Sequence, residues 1–264
     1  MVTDSGRHAR RLRSGFGLLL GGLLAVSLTA HQARAQNAES APTLILINPN
    51  SNDGATKGMV AIAQEVAGDK VRVVGRTNTD APSLLTTPED MVKATEGVAA
   101  IGEEAARESG VIGIVVSAFS DPGLKELRDR KLAVPVVGIG EEAFHEAASG
   151  GRAFGIVTIT PDAGLIESFR ARAEELGYLA QYRGVVVTPG DPNEILKDSA
   201  KLDEALEQAV DKAVKDNGAQ AVIMGGGPLS APAVRIQSKV DVPLIVAVAA
   251  ATRAVLKQGA DAQK

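Results

Sequence analysis

The chain has 264 residues, with 28 Lys and Arg against 32 Asp and Glu, three His and no Cys. Without cysteine there is no disulfide framework, no thiolate catalysis and no zinc–thiolate site. The acidic balance and scarcity of aromatics disfavour phosphate-backbone binding and base stacking, so nucleic acid is not an expected partner.

At the N-terminus, Arg7, Arg10, Arg11 and Arg13 precede the apolar run FGLLLGGLLAVSLTA, and ARA at 33–35 follows as a small-x-small cleavage site. This layout predicts a signal peptide over residues 1–35 and a periplasmic or secreted protein. The run is short for a membrane span, so no stable anchor is expected after cleavage. The Arg10-Arg11 pair raises twin-arginine export, although Arg13 stands where an apolar residue is usual. Removing the segment takes five of the 28 basic and one of the 32 acidic residues, leaving 23 against 31, or net −8. His8 and His31 leave with it, and His145 alone cannot form a paired-histidine metal motif. Residues 36–42 are polar and are expected to form a flexible tether.

Apolar runs then alternate with amphipathic stretches. TLILINPN (43–50) precedes a helical pattern at 56–67, and KVRVVGR (70–76) precedes a long one at 88–109. VIGIVVSAF (111–119) leads to a helix at 122–130, and VPVVGIG (134–140) to one at 141–148. FGIVTIT, GVVVTPG, AVIMGGG and VPLIVAV repeat the pattern. Continuous β-branched runs separated by helices predict parallel strands buried on both faces, hence an α/β fold. Residues 44–51 echo 154–161, 113–123 echo 221–230, and 134–143 match 242–251. Each pair is displaced by about 110 residues, the size of a small α/β lobe. The prediction is two pseudo-symmetric lobes, 43–150 and 151–264, with the C-terminal helix free to pack back on the first.

Ligands of open parallel sheets sit beyond the carboxyl ends of the strands. A cleft between the lobes would be lined by Asn48, Asn50, Ser51, Ser117, Phe119, Ser120, Thr158, Thr160, Gly225, Gly226 and Gly227. Asn48, Asn50 and Ser51 suit a polar small molecule and equally suit turn formation. Ser117 is either ligand-facing or a backbone-satisfying hydroxyl. The three glycines bring main-chain N–H groups within reach of a carboxylate, while a tight turn alone leaves the third unexplained. Asp121-Pro122 reads as an N-cap with proline at the first helical position, a structural job that explains both residues, beside a role for Asp121 as base. His145 is a packing or surface residue by default, with catalysis as the alternative. GIGEEA (138–143) loosely fits a dinucleotide pattern, but it follows the fourth strand and reads as a tight strand–helix turn.

Taken together, LILINPNS, SAFSDPGLKELRDRKLAVPVVGIGEEA, FGIVTIT, VIMGGGPLS and VPLIVAVAAA resemble the aspartate/glutamate/hydantoin racemase superfamily. F-x-D-P-G-L followed by P-V-V-G-I-G-E looks especially like its hydantoin racemase branch. The resemblance implies two α/β lobes around the site and cofactor-independent proton transfer alpha to a carbonyl, with no metal. It also implies two cysteines, one per lobe, on opposite faces of that carbon, because inversion needs departure and delivery from opposite sides. Those positions are Ala118 and Gly226 here, and neither residue carries a proton. Two classes of function follow. One is a racemase or epimerase of an amino acid or hydantoin-like compound, with Asp121 on one face and Ser230, His145 or water on the other. The other is a non-catalytic binding protein for a small carboxylate or ureide; a lyase or decarboxylase ranks last. The partner is a small molecule in each case, and homo-oligomerisation stays open.

Overall fold

Every residue of β1 (Thr43–Asn48) is buried, as a strand covered on both faces of a parallel sheet requires. The computed structural model describes residues 42–226 and 229–261. The predicted signal peptide, the tether as far as residue 41, and Gly227 lie outside the described residues. Around β1 the chain adds α1 (Asp53–Ala67), β2 (Arg72–Thr77), α2 (Pro88–Ala105), β3 (Val111–Val116), α3 (Leu124–Asp129), β4 (Val136–Gly138) and α4 (Ile139–Ala148). The second half supplies β5 (Phe154–Thr158), α5 (Ala163–Glu175), β6 (Tyr182–Val187), the short α6 (Pro192–Ile195), α7 (Ser199–Lys215), β7 (Ala221–Met224), α8 (Ser230–Ile236), β8 (Leu244–Ile245) and α9 (Ala247–Asp261). The two sheets run β2-β1-β3-β4 and β6-β5-β7-β8, with every neighbouring pair parallel. The same order recurs in both halves, as the internal echo predicts.

Alternation along the strands sorts side chains into three cores. Ile45 and Ile47 of β1, with Ile114 and Val116 of β3, pack under Val98 of α2 and Leu127 of α3. Val157 and Val222 do the same on the outer face of the second sheet, against Leu202, Leu206 and Val210 of α7. Leu44, Leu46 and Val115 point the other way, into a core that also holds Phe154, Ile156 and Ile223 of the second sheet. This shared core is closed by exchange. α4 leaves the first sheet and packs on β7 and β8, while α9 leaves the second and packs on β3, β4 and α1. Residues from Pro42 onward therefore form one compact unit despite the two sheets. At its centre Phe144 of α4 meets Phe154 of β5 edge-on, with centroids 5.6 Å apart, a pairing worth about 0.5–1.5 kcal/mol beyond area burial.

Local chemistry sets the helix starts. Asn52 caps α1 by accepting from the Ala55 N–H, and Thr87 with Asp90 forms a capping box ahead of Pro88. Boundaries at β4, β8 and α3, among others, differ from expectation. β4 spans three residues rather than 134–140, because α4 already begins at Ile139. β8 spans two rather than most of 242–248, because α9 begins at Ala247. An apolar run such as VPLIVAVAAA serves a buried strand or a buried helix equally, so pattern alone does not place the junction. The helix expected at 122–130 begins at Leu124, after Gly123 in the left-handed conformation (φ 80°).

Candidate functional site

The carboxyl ends of β1, β3, β5 and β7 meet at a cleft of about 610 Å³. Asn50, Ala118, Phe119, Ser120, Thr160, Gly225 and Gly226 line it from these strand ends. Leu84 and Leu85 line it from the β2–α2 segment, Met91 from α2, and Leu165, Ser168, Phe169, Ala171, Arg172 and Glu175 from α5. The mixture of apolar wall and a few polar groups is that of a small-molecule site.

Several strand-end polar residues build this rim without lining it. Asn48 is buried and its Nδ2 donates to Asn50 Oδ1 and Thr56 Oγ1, each at 3.0 Å, while its Oδ1 accepts from the Asn50 N–H. Those bonds fix the Asn-Pro-Asn turn that presents Asn50. Ser51 donates its N–H to the Pro82 carbonyl, tying the turn to the β2–α2 segment. Ser117 is buried, with its hydroxyl donating to the Ile47 carbonyl at 2.9 Å, the backbone-satisfying alternative. Thr158 is likewise buried and accepts from the Thr160 N–H at 3.2 Å.

In the glycine loop, the Gly225 N–H donates to the Val157 carbonyl and the Gly226 N–H to that of Met224. This corrects the expectation that both amides stand ready for an anion, since each is already spent on the chain. Gly226 has φ 152°, a region open essentially to glycine alone. Conformation alone accounts for glycine at 226.

Asp121 also differs from expectation. It does not cap the helix that follows it. Its φ is 50°, uncommon for a non-glycine residue, and the side chain turns toward α4 instead. Oδ1 accepts from the Gly140 N–H at 2.9 Å and Oδ2 from the Glu141 N–H at 2.8 Å, so it caps α4 from outside, where a carboxylate meets the positive end of the helix dipole. This explains the G-x-G spacing of GIGEEA. A Cβ on Gly138 would stand 2.3 Å from the Asp121 carboxyl, and one on Gly140 would stand 2.0 Å from the Phe119 carbonyl oxygen. The two glycines make room for the 119–121 segment. No phosphate loop is involved.

Oδ2 of Asp121 also takes a 3.0 Å contact from Nη2 of Arg172, on α5 of the second lobe. One turn earlier, Phe169 meets Phe119 edge-on at 5.4 Å. Both contacts join the lobes at the wall of the cleft. Burial pushes the Asp121 carboxyl up to about 6, against the opposing pull of the two amides and Arg172. With both oxygens engaged and the side chain 2% exposed, Asp121 is placed to position the site and not to reach a substrate carbon.

His145 and Ser230 stand apart from the cleft lining. His145 Nε2 is 3.2 Å from Glu141 Oε1, and Nδ1 is 2.8 Å from the Tyr178 hydroxyl. The Glu141 bond raises the His145 pKa. In turn His145, then Arg128, holds the Glu141 carboxyl down to about 2. This network pins α4 to its neighbours, which is the packing role. Ser230 is the first residue of α8 and half-buried.

Sequence reasoning missed the α5 wall. Leu165, Ser168, Phe169 and Arg172 recur at three- and four-residue spacing on one helix face, which was a legible signal for a covered face. Nothing in the spacing said that the cover was a ligand cleft.

The sequence model of the Asp/Glu/hydantoin racemase family matches residues 44–255. A hydantoin racemase of Paenarthrobacter aurescens is 30% identical over 217 residues, covering 80% of this chain and 88% of that protein. One from Pseudomonas sp. (strain NS671) is 27% identical over 217 residues, covering 79% and 82%. Among solved structures, an allantoin racemase from Klebsiella pneumoniae superposes with a TM-score of 0.72 at 28% identity, over 84% of this chain and 89% of that one. The strand-end cleft and these matches, running through nearly the whole described chain, agree: the protein belongs to the Asp/Glu/hydantoin racemase family.

Proposed function

We propose that the protein is an exported isomerase that exchanges the proton on the carbon alpha to a carbonyl in a hydantoin-like cyclic ureide or amino acid, without thiols. One observation carries this reading. Ala118 and Gly226, at equivalent strand ends of the two sheets, line a single cleft, so a ligand there is flanked from both lobes, the arrangement that inversion needs. The racemase and allantoin racemase relatives support the substrate class. Among the described residues lining the cleft, the hydroxyls of Ser120, Thr160 and Ser168 and the Glu175 carboxylate are able to exchange a proton. Export is supported by the tripartite N-terminus, and release from cells by osmotic shock checks it.

A second reading has its own support. Neither Ala118 nor Gly226 bears a proton-transferring group, which favours a binding protein that holds the same ligands without turnover. A panel of single-enantiomer hydantoins, allantoin and amino acids separates the two by chiral chromatography and thermal shift. Loss of optical purity above the blank supports the isomerase. A raised Tm with full retention of configuration supports the binder, and neither effect with any compound overturns both.

A further inference from the structure

Among the described residues lining the cleft, Arg172 and Glu175 carry charge. Their environments are unequal. The Arg172 side chain is 23% exposed and the Glu175 side chain 66%. The inner edge of the guanidinium is fixed by Asp121 through Nη2 at 3.0 Å, with Glu141 Oε2 3.8 Å from the same nitrogen, and its outer edge meets Glu175 Oε2 through Nη1 at 2.8 Å. Asp121 is itself held by two backbone amides, so the plane of the guanidinium is set before any ligand arrives. Such a fork of five N–H donors matches a carboxylate edge-on. The Glu175 contact is a largely exposed surface pair, which screening by water keeps weak, so exchanging it for another carboxylate costs little. The neighbouring wall of Leu165, Phe169 and Met91 strengthens an ion pair formed inside the cleft by excluding water.

We propose that Arg172 is the anion-binding residue of the cleft, and that the preferred ligands carry a carboxylate which displaces Glu175 from the guanidinium. The inference deepens the function proposed above and rests on the ligand entering that cleft.

Calorimetric titration with hydantoin-5-acetate and with neutral 5-methylhydantoin tests it on the chain lacking residues 1–35, as wild type, R172Q and E175Q. The readout is the ratio of the two affinities. The wild type should favour the acid by about ten-fold, as expected of a charge-assisted pair. The ratio should rise several-fold in E175Q, which removes the competing carboxylate, and fall to about one in R172Q. R172Q leaves buried Asp121 without its cation, so if that variant does not fold, E175Q decides. A wild-type ratio near one, or a ratio that fails to rise in E175Q, overturns the inference. Binding of the neutral ring without the acid overturns it while leaving the proposed function standing; binding of neither compound also overturns it, and the wider panel above then decides the proposed function.

Discussion

Asp121 and Arg172 join the two lobes at the wall of the cleft through a 3.0 Å ion pair whose carboxylate also caps α4. One side chain thus serves three jobs: it ties the first lobe to the second, anchors the start of α4, and orients the cation that lines the site. Removing one partner of such a buried pair strands the other charge.

Asp121→Ala should therefore lower unfolding stability by about 3–5 kcal/mol. Asp121→Asn keeps an acceptor for one amide and should lose roughly half as much. Urea denaturation of both variants measures this, and near-wild-type stability for the alanine variant would contradict the triple role.

Close approach at the G-x-G turn makes a second prediction. Gly140→Ala forces a Cβ to 2.0 Å from the Phe119 carbonyl oxygen, whereas nothing lies within 4 Å of a Cβ at Gly58 of α1. Gly140→Ala should be strongly destabilising, and Gly58→Ala should stabilise by about 0.5–1 kcal/mol through helix propensity. Thermal melts of the pair compare the two glycines directly.

The Glu141 network sets an acid-side dependence. Its folded pKa is held down to about 2 by His145 and Arg128, below the ordinary value of an unfolded glutamate. The stabilisation is then fully present above the unfolded pKa and is lost as pH falls toward the folded one. The stability difference between wild type and Glu141→Gln should be at most about 3 kcal/mol at pH 5–6 and should shrink steadily below about pH 4.5. Asp121 acts with the opposite sign. Its raised pKa of about 6 makes the folded state hold the proton longer, so its contribution falls as pH rises from its unfolded value through 6. Denaturation curves between pH 2 and 7 for wild type, Glu141→Gln and Asp121→Asn separate the two slopes.

The two family cysteine positions should respond differently to being filled. Ala118 is not among the residues with positive φ and is half-buried beside the cleft, so Ala118→Cys should change stability by less than about 1 kcal/mol. Gly226 has φ 152°, so Gly226→Cys should cost about 1–3 kcal/mol in backbone strain. Equal tolerance at both sites in a thermal melt would show that the loop relaxes freely.

Much of this was legible beforehand. Continuous apolar runs marked the parallel strands, and their ends located Asn50, Ala118, Phe119, Ser120, Thr160, Gly225 and Gly226 on the cleft. Asn48, Ser117 and Thr158 share those strand ends but turn their polar groups into neighbouring backbone and, for Asn48, side chains as well, because a buried hydroxyl or amide must first satisfy the chain. Asp121 was misplaced for a related reason. Capping preference is local, whereas its partners lie 19 and 20 residues away and only tertiary folding brings them together. Arg172 was missed because amphipathic spacing marks a covered face without saying what covers it.

Exchange of an alpha proton in this cleft without thiols is read by proton NMR in heavy water. Incubated with single-enantiomer 5-substituted hydantoins, allantoin and amino acids, the protein should make the alpha-proton signal of at least one compound decay faster than in a protein-free blank. Decay no faster than the blank for every compound, including those that raise the Tm, would contradict the proposed exchange and leave a binding protein in its place.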